Sequence, residues 1–385
     1  MSHTEEKIPE NRALIIGAGP AGLTLAQILC RHNIPFAFFE RAKSVTKKRQ
    51  GWAVGLMEDE CELGGPREPD SLGLLDGKTG HAFAKLGGVP YEQPGFFLRA
   101  KRDLLRGHLA RHLEVATDKR LLSYTEDSTG VTVFFADGTS ARGRILIGAD
   151  GAYSVVRRQL LWPNAMPQLS QNIPTNGECT LVRSEYEPLR RPGNSVLSAA
   201  LPGVFFNIGL VSVEPDRSRG EFYWGVAFQS DNPTRDSNWA AEADRQTLYD
   251  KCVELTRDMP AWLTSIIHKT GPGGMNMPCI KFVEYVPPET LPKGGRVTYM
   301  GDAAHTMIPF KGAGANTAVT DSCDLGRLIV RAFEDDDGPG WTGIAGVLDE
   351  YNSSRCHGDV RLCSVAERQY HRYDRWEGHY TPASY

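Results

Sequence analysis

Ala13-Leu14-Ile15-Ile16-Gly17-Ala18-Gly19-Pro20-Ala21-Gly22-Leu23 is the stretch on which the fold of this chain turns. The four apolar residues Ala13 to Ile16 read as a short buried strand, and Leu23 to Leu29 carry apolar residues at helical spacing. Between them lies a G-x-G-x-x-G turn. Gly17 permits a tight turn, Gly19 gives a pyrophosphate room, and Gly22 lets helix and strand pack closely. A helix opening on such a turn offers free N–H groups and a positive dipole end to phosphate. A second strand, Phe36-Ala37-Phe38-Phe39, ends in Glu40, 18 residues after Gly22, where a carboxylate meets the hydroxyls of an adenosine ribose. A chance glycine turn would lack this combination of strand, helix and terminal acid. The segment predicts a dinucleotide site lined by Gly17, Ala18, Gly19, Pro20, Ala21, Gly22 and Glu40.

Near the other end of the chain stands Gly301-Asp302-Ala303-Ala304-His305, continuing through Pro309, Gly312, Gly314 and Asn316. Arg296 to Met300 reads as a buried strand before it, and Ala318, Leu325, Leu328 and Ile329 read as a helix after it. An acid at a strand end can accept hydrogen bonds from sugar-alcohol hydroxyls. Glycines that follow let the backbone approach a flat ring, and the helix start favours a negatively charged atom. A third segment, Ile145-Leu146-Ile147-Gly148-Ala149-Asp150-Gly151, again sets an acid and a glycine at the end of an apolar run.

Gly148-Ala149-Asp150-Gly151, with Ser154, Val156 and Arg157, resembles the Asp-Gly motif of single-component flavin aromatic hydroxylases. Gly301-Asp302 resembles the flavin-ribityl motif of the same family, and Arg102-Asp103-Leu104-Leu105 with Leu109 is similar to its R-x-x-L helix start. The motifs occur in family order between residues 15 and 325, so the likeness covers most of the chain. It is to the p-hydroxybenzoate/salicylate hydroxylase superfamily, and within it to the compact branch of the tetracycline-inactivating monooxygenases, which Phe222 to Phe228 and Pro309-Phe310-Lys311-Gly312 resemble.

The resemblance implies an α/β fold: a Rossmann-like FAD-binding domain of glutathione-reductase type, a mostly antiparallel β-sheet substrate domain, and C-terminal helices. FAD would be the bound cofactor, with NADPH or NADH as transient co-substrate and no domain of its own, since no second G-x-G-x-x-G with a following strand and acid is apparent. An electron-rich aromatic or polycyclic small molecule would be hydroxylated or epoxidised with O2 through a flavin C4a-hydroperoxide. The protein's part would be to position the ring, exclude water and orient the substrate. The family's roles carry over to Arg41, Arg49, Ala53, Arg102, Asp150, Asp302, Pro309, Gly312, Gly314, Ala315 and Asn316 for the cofactor. Tyr223 and Arg183 are the candidate catalytic side chains, with Phe310, Trp224 and Asn207 for the substrate. His305 is expected to be structural. Each role has a plainer rival: Lys47-Lys48-Arg49 as a solvated basic loop, Tyr223 and Phe310 as core packing, Arg183 as an edge-strand arginine facing water. Cys61-Glu62-Leu63-Gly64-Gly65-Pro66 departs from the helix usual in the family after Leu56, and Ala313 replaces a common glutamine.

Composition agrees with a globular enzyme. The chain has 385 residues, 41% of them apolar, enough for two or three domains with a large core. A net charge of −4 gives no basic surplus for nucleic acid or an anionic membrane surface. No apolar run approaches the length of a membrane span, and Met1 to Arg12 lacks the apolar core of a signal peptide. The eight cysteines form no C-x-x-C, which suits reduced thiols in a cytoplasm and gives no metal set. Monomer and dimer both remain open. A flavin halogenase, a flavin reductase of the same fold and a non-catalytic flavoprotein are the alternatives. The seven tryptophans never form the W-x-W of such halogenases.

Because nucleotide motifs lie at both ends, the plan is discontinuous. Residues 1–77, 100–165 and 286–385 are expected to build the FAD domain, and 78–99 and 166–285 the substrate domain. Strands are expected at Cys179 to Arg183, Val204 to Val213, Glu221 to Phe228 and Cys279 to Tyr285, and helices at Arg245 to Leu255 and Trp262 to His268. Ile344 to Trp376 shows helical spacing, and Glu334 to Asp337 reads as a solvated loop.

Overall fold

The computed structural model describes residues 11–45, 53–57, 71–87, 97–163, 165–190, 195–288, 290–309, 312–334 and 340–355. They fall into two compact units, one lying within Met1–Gly51, Arg102–Gln168 and Val283–Cys363, the other within Trp52–Lys101, Leu169–Phe282 and Ser364–Tyr385.

The first unit is built on a five-stranded parallel sheet in the order Val297–Tyr299, Ile145–Gly148, Ala13–Ile16, Phe36–Phe39, Val115–Ala116. The central strands are unbroken apolar runs because both faces are covered. Ala13 and Ile15 pack with the helices Pro20–Arg31 and Ala313–Glu334 and with Ile344, Leu348 and Tyr351 of a helix over 344–355. Leu14 and Ile16 point the other way, onto Tyr124, Val131, Val133 and Phe135 of the small antiparallel sheet Ser140–Gly143, Val131–Phe135, Leu121–Glu126. Pro20 opens its helix in the first turn, where its missing N–H costs no intrahelical bond. Gly326 lets the two long helices approach: a Cβ there would lie 2.9 Å from Ile28. Helical spacing beyond 355 falls outside the described residues, as does the reading of Cys61 to Pro66.

The second unit is a six-stranded sheet, Asn172–Val182, Arg219–Gln229, Val204–Val213, Val196–Leu201, Ser71–Asp76, Ala82–Gly87, antiparallel except where Val196–Leu201 meets Ser71–Asp76. One face is sealed by the helices Arg245–Leu255 and Ala261–Thr270, with Trp224, Phe206, Ile208 and Val226 packed beneath Leu248, Cys252, Leu263, Ile266 and Ile267. Asp244 caps the first of these helices, accepting from Thr247 N at 2.8 Å. A ribbon of Ala53–Met57 and Phe97–Lys101 completes the unit.

Several expectations are corrected. The Ser71–Asp76 strand, read as part of the FAD domain, pairs instead with Val196–Leu201, a partner more than a hundred residues away that no local pattern reveals. Ala53–Met57 also belongs with this second unit. The strand read as Cys179 to Arg183 runs from Asn172 to Val182, and Arg183 opens a helix, Arg183–Arg190. Of Cys279 to Tyr285 only Val283–Glu284 is strand. Pro278, Pro287 and Pro288 flank it and remove backbone donors.

Candidate functional site

Two glycines of the first turn are demanded by packing. Gly17 has φ +104°, and a Cβ there would sit 2.2 Å from Ala149 O; one on Gly22 would sit 2.0 Å from Gly17 O. Gly19 differs, since a Cβ there would meet nothing within 4 Å. It is extended, with no side-chain cap on the helix that follows, so the first amides of Pro20–Arg31 lack intrahelical partners. Open space over uncapped amides is what a pyrophosphate requires.

Glu40, buried, accepts from Ala18 N through Oε2 and from Ala42 N through Oε1, both at 2.7 Å. A carboxylate has about four acceptor positions, so ribose hydroxyls can still bond to it. Arg106, which sequence reasoning missed, donates from Nε to Ala18 O at 3.0 Å. Burial lowers its pKa and the nearby Glu40 carboxylate works against that loss. Its signal was its place four residues after Arg102, on the same face of the helix Arg102–Leu109. Arg102 Nε is buried without a hydrogen-bond partner. Arg41 is exposed.

The two ends of the chain meet at Gly301. Its φ is +61°, and a Cβ there would lie 2.9 Å from Ala21 Cβ and 3.4 Å from Ala318 Cβ. Ser322 Oγ brings the long helix against the first turn, lying 2.9 Å from Ala21 O and 2.7 Å from Ala318 O of its own helix, with one proton to share between them. Asp321 Oδ2 accepts from Gly301 N at 2.7 Å and lies 2.8 Å from His305 Nε2. His305 is therefore buried within the turn. The signal for Asp321 was an acid on the apolar stripe of Ala318, Leu325 and Ile329. Asp302, by contrast, is exposed, and its carboxylate makes no hydrogen bond among the described residues. Pro309 is exposed, Gly312 has φ +64°, and a Cβ on Gly314 would meet nothing within 4 Å. Ala315 and Asn316 lie in the first turn of Ala313–Glu334, with Asn316 Nδ2 donating to Gly312 O at 3.2 Å. Arg49 and Phe310 fall outside the described residues.

Asp150 is committed to the protein. It accepts from Ser154 Oγ at 2.5 Å and Val155 N at 2.7 Å, starting the helix Val155–Leu160. Burial pushes its carboxyl up, and these bonds oppose the shift. Arg157, fully buried, donates to Ala303 O and Ala152 O at 2.6 Å and to Ala165 O at 3.0 Å, and stacks 4.0 Å from the Tyr285 ring. It ties the Asp-Gly loop to the Gly-Asp turn.

In the second unit the candidates separate. Trp224, expected to touch substrate, is fully buried in the helix-covered core and donates from Nε1 to Thr270 Oγ1 at 2.8 Å. Side-chain alternation places its neighbour Tyr223 on the opposite face. There the Tyr223 ring lies across Gly209, whose Cβ would be 2.0 Å from Cε1. Asn207 shares that face. Arg183, expected on a strand near the substrate, is an exposed helix residue whose Nε pairs with Glu187 Oε1 at 2.7 Å. Ala53 pairs with Lys101 in the ribbon.

The first unit fits FAD: a cradle open at Gly19, a spare donor on buried Arg102, acceptor capacity on Glu40 and an uncommitted Asp302. Among the described residues no group of His, Cys, Asp and Glu could hold a metal, and no helix is long and apolar enough to cross a membrane.

Comparison with known proteins agrees. A family described as FAD binding domain matches residues 289–357. The FAD-dependent monooxygenase thnD of Trichoderma harzianum is 30% identical over 374 residues, 92% of this chain and 91% of that protein. The FAD-dependent monooxygenase dbaB of Emericella nidulans is 32% identical over 381 residues, covering 92% and 93%. In fold, the chain is similar to Klebsiella pneumoniae HpxO complexed with FAD and uric acid, with TM-score 0.73, 23% identity and coverage of 95% and 90%. A salicylate hydroxylase substrate complex gives TM-score 0.73 at 17% identity, covering 96% and 90%. With two relatives at or above 30% identity over nine-tenths of both chains, and the glycine cradle and Gly301-Asp302 turn in place, the chain belongs to the FAD-dependent monooxygenases.

Proposed function

We propose that this monooxygenase oxygenates an electron-rich aromatic or polycyclic small molecule on the Tyr223 face of its sheet, by hydroxylation or epoxidation. O2 would be the oxygen donor and NADPH or NADH the reductant. The observation that carries the reading is the convergence of Gly19, Gly301-Asp302 and the start of Ala313–Glu334 in one unit. When bound, the flavin supplies the reaction with O2 that activates an oxygen atom for transfer. The chain's own residues bind and orient. Amides after Gly19 and the Arg102 guanidinium hold the pyrophosphate, Glu40 the adenosine ribose, and Asp302 the ribityl hydroxyls. The amides at the start of Ala313–Glu334 favour negative charge on the flavin ring. Tyr223 and Asn207 present an aromatic edge and an amide to the substrate.

That the described residues form one such dinucleotide cradle supports a reductant that visits and leaves. The protein is expected to show NADPH oxidation coupled to oxygen uptake, stimulated by the right member of a panel of phenols, indoles and polycyclic aromatics. Tyr223→Ala is expected to lower product formation while bound FAD keeps its normal spectrum. NADPH oxidation without oxygen uptake would favour a reductase. Bound FAD with no NADPH consumption across the panel would favour a binding protein.

A further inference from the structure

We propose that the sheet face opposite the helices selects a neutral, planar substrate bearing several hydroxyl or carbonyl oxygens, in preference to an aromatic carboxylate. This rests on reading that face as the substrate surface. Residues two apart along a strand share a face, and the pairing register arranges this one in rows across the strands. Asn176 pairs with Gly225, Gly225 with Asn207, and Asn207 with Ser198. One flanking row is Glu178, Tyr223, Gly209 and Val196; the other is Pro174, Ala227, Phe205 and Ala200. A polar row thus runs between two rows that carry an aromatic ring each.

The polar row is built to bond to something outside itself. Asn176 is 5% exposed and Ser198 4%, yet neither side chain makes a hydrogen bond among the described residues, nor does that of half-buried Asn207. None of their polar atoms is among the fully buried unpartnered ones, so they open onto the free side of the sheet, where a ligand's donors and acceptors can take the place of water. The floor is also flat. Asn207 leans over Gly225, where a Cβ would come within 2.8 Å of Oδ1, and Tyr223 lies over Gly209. Strands stand about 4.8 Å apart, so Asn176 to Ser198 spans about 14 Å, longer than a single ring.

Charge decides the class. The three rows contain no lysine, arginine or histidine. The carboxylate among them, Glu178, is exposed and accepts from Asn276 Nδ2 at 3.2 Å. One row further along, the Lys101 ammonium is already paired with Glu221 at 2.9 Å. A carboxylate set on these rows would give up water for amides and hydroxyls with no cation among them, whereas phenol and carbonyl oxygens match them.

The test is calorimetric binding to the FAD-loaded protein of a dihydroxyanthraquinone, its carboxylated analogue and salicylate. The neutral compound is expected to bind at least tenfold tighter than either carboxylate. Asn176→Leu and Asn207→Leu should each weaken it by about three- to tenfold while leaving the affinity for anthracene unchanged. Asn207→Asp, nearly isosteric, removes the amide donors with little risk to folding and should weaken the same compound by a similar factor. Carboxylates binding as well as or better than the neutral compound, failure of the neutral compound to bind, or insensitivity to Asn207→Asp would each overturn the inference. Binding in the expected order without stimulated oxygen uptake would uphold the selectivity and defeat the reading of this face as the site of turnover.

Discussion

Two carboxylates at the Gly301 turn stand in opposite surroundings. Asp321 is buried and bonded to Gly301 N and His305, so it holds the turn; Asp302 is exposed and uncommitted, so it can bond to a ligand. The two are expected to fail differently. Asp302→Ala should weaken FAD retention by about 10- to 100-fold, the equivalent of roughly 1.5–3 kcal/mol for charge-assisted hydrogen bonds, with the melting temperature of the FAD-free protein unchanged. Asp321→Ala should lower that melting temperature, because it leaves a buried amide and imidazole unsatisfied. Equal FAD affinity for Asp302→Ala and the parent protein, by equilibrium dialysis, would refute the assignment. Asp302 was picked out as a candidate in the sequence because its position after a strand and before glycines is local. Asp321 was not, since it acts on a backbone group twenty residues earlier in the chain, and Arg157, read there as part of the Asp-Gly motif, gave no sign of its bond to Ala303 O. Trp224 and Arg183 misled for a related reason: one residue of alternation, or one residue past a strand end, decides which surface a side chain reaches.

At the scale of elements, the glycine turn separates a folding requirement from a binding one. Gly17→Ala places a Cβ 2.2 Å from Ala149 O at a φ of +104°, so this variant is expected to be insoluble or strongly destabilised. Gly19→Ala meets no protein atom within 4 Å, so it should melt like the parent without FAD yet bind FAD more weakly. A Gly19→Ala protein with normal FAD affinity would mean that the pyrophosphate does not lie there. Elements with a strong local pattern were legible to the residue: Ala13–Ile16, Phe36–Phe39, Val204–Val213 and Arg245–Leu255. The Asn172–Val182 strand was half hidden by Pro174 and Gly177 within it, residues poor in strand propensity that long-range pairing overrides. Ser71–Asp76 reads as a strand only once Val196–Leu201 is beside it.

At the scale of the molecule, each unit rests on its own apolar core, and the second encloses two thiols that respond to pH. Burial pushes Cys252 up to about 12 and Cys279 to about 11. Both thiols lose their protons near pH 9 or below once unfolded. The folded chain therefore holds more protons than the unfolded one above that point, so stability should fall as pH rises from about 9 towards 12. Urea midpoints at pH 7.5 and 10.5 check this, and Cys252→Ala should remove part of the drop. An unchanged midpoint would place these thiols in water. The glycine cradle and the Gly301-Asp302 turn are proposed to hold FAD for oxygen transfer to an aromatic carbon. The most direct test is turnover of a substrate from the panel under isotopically labelled O2 with NADPH, followed by mass spectrometry of the product. One labelled oxygen atom per product molecule, with one NADPH consumed, is the predicted result. An unlabelled product, or peroxide as the sole fate of the label, would contradict it.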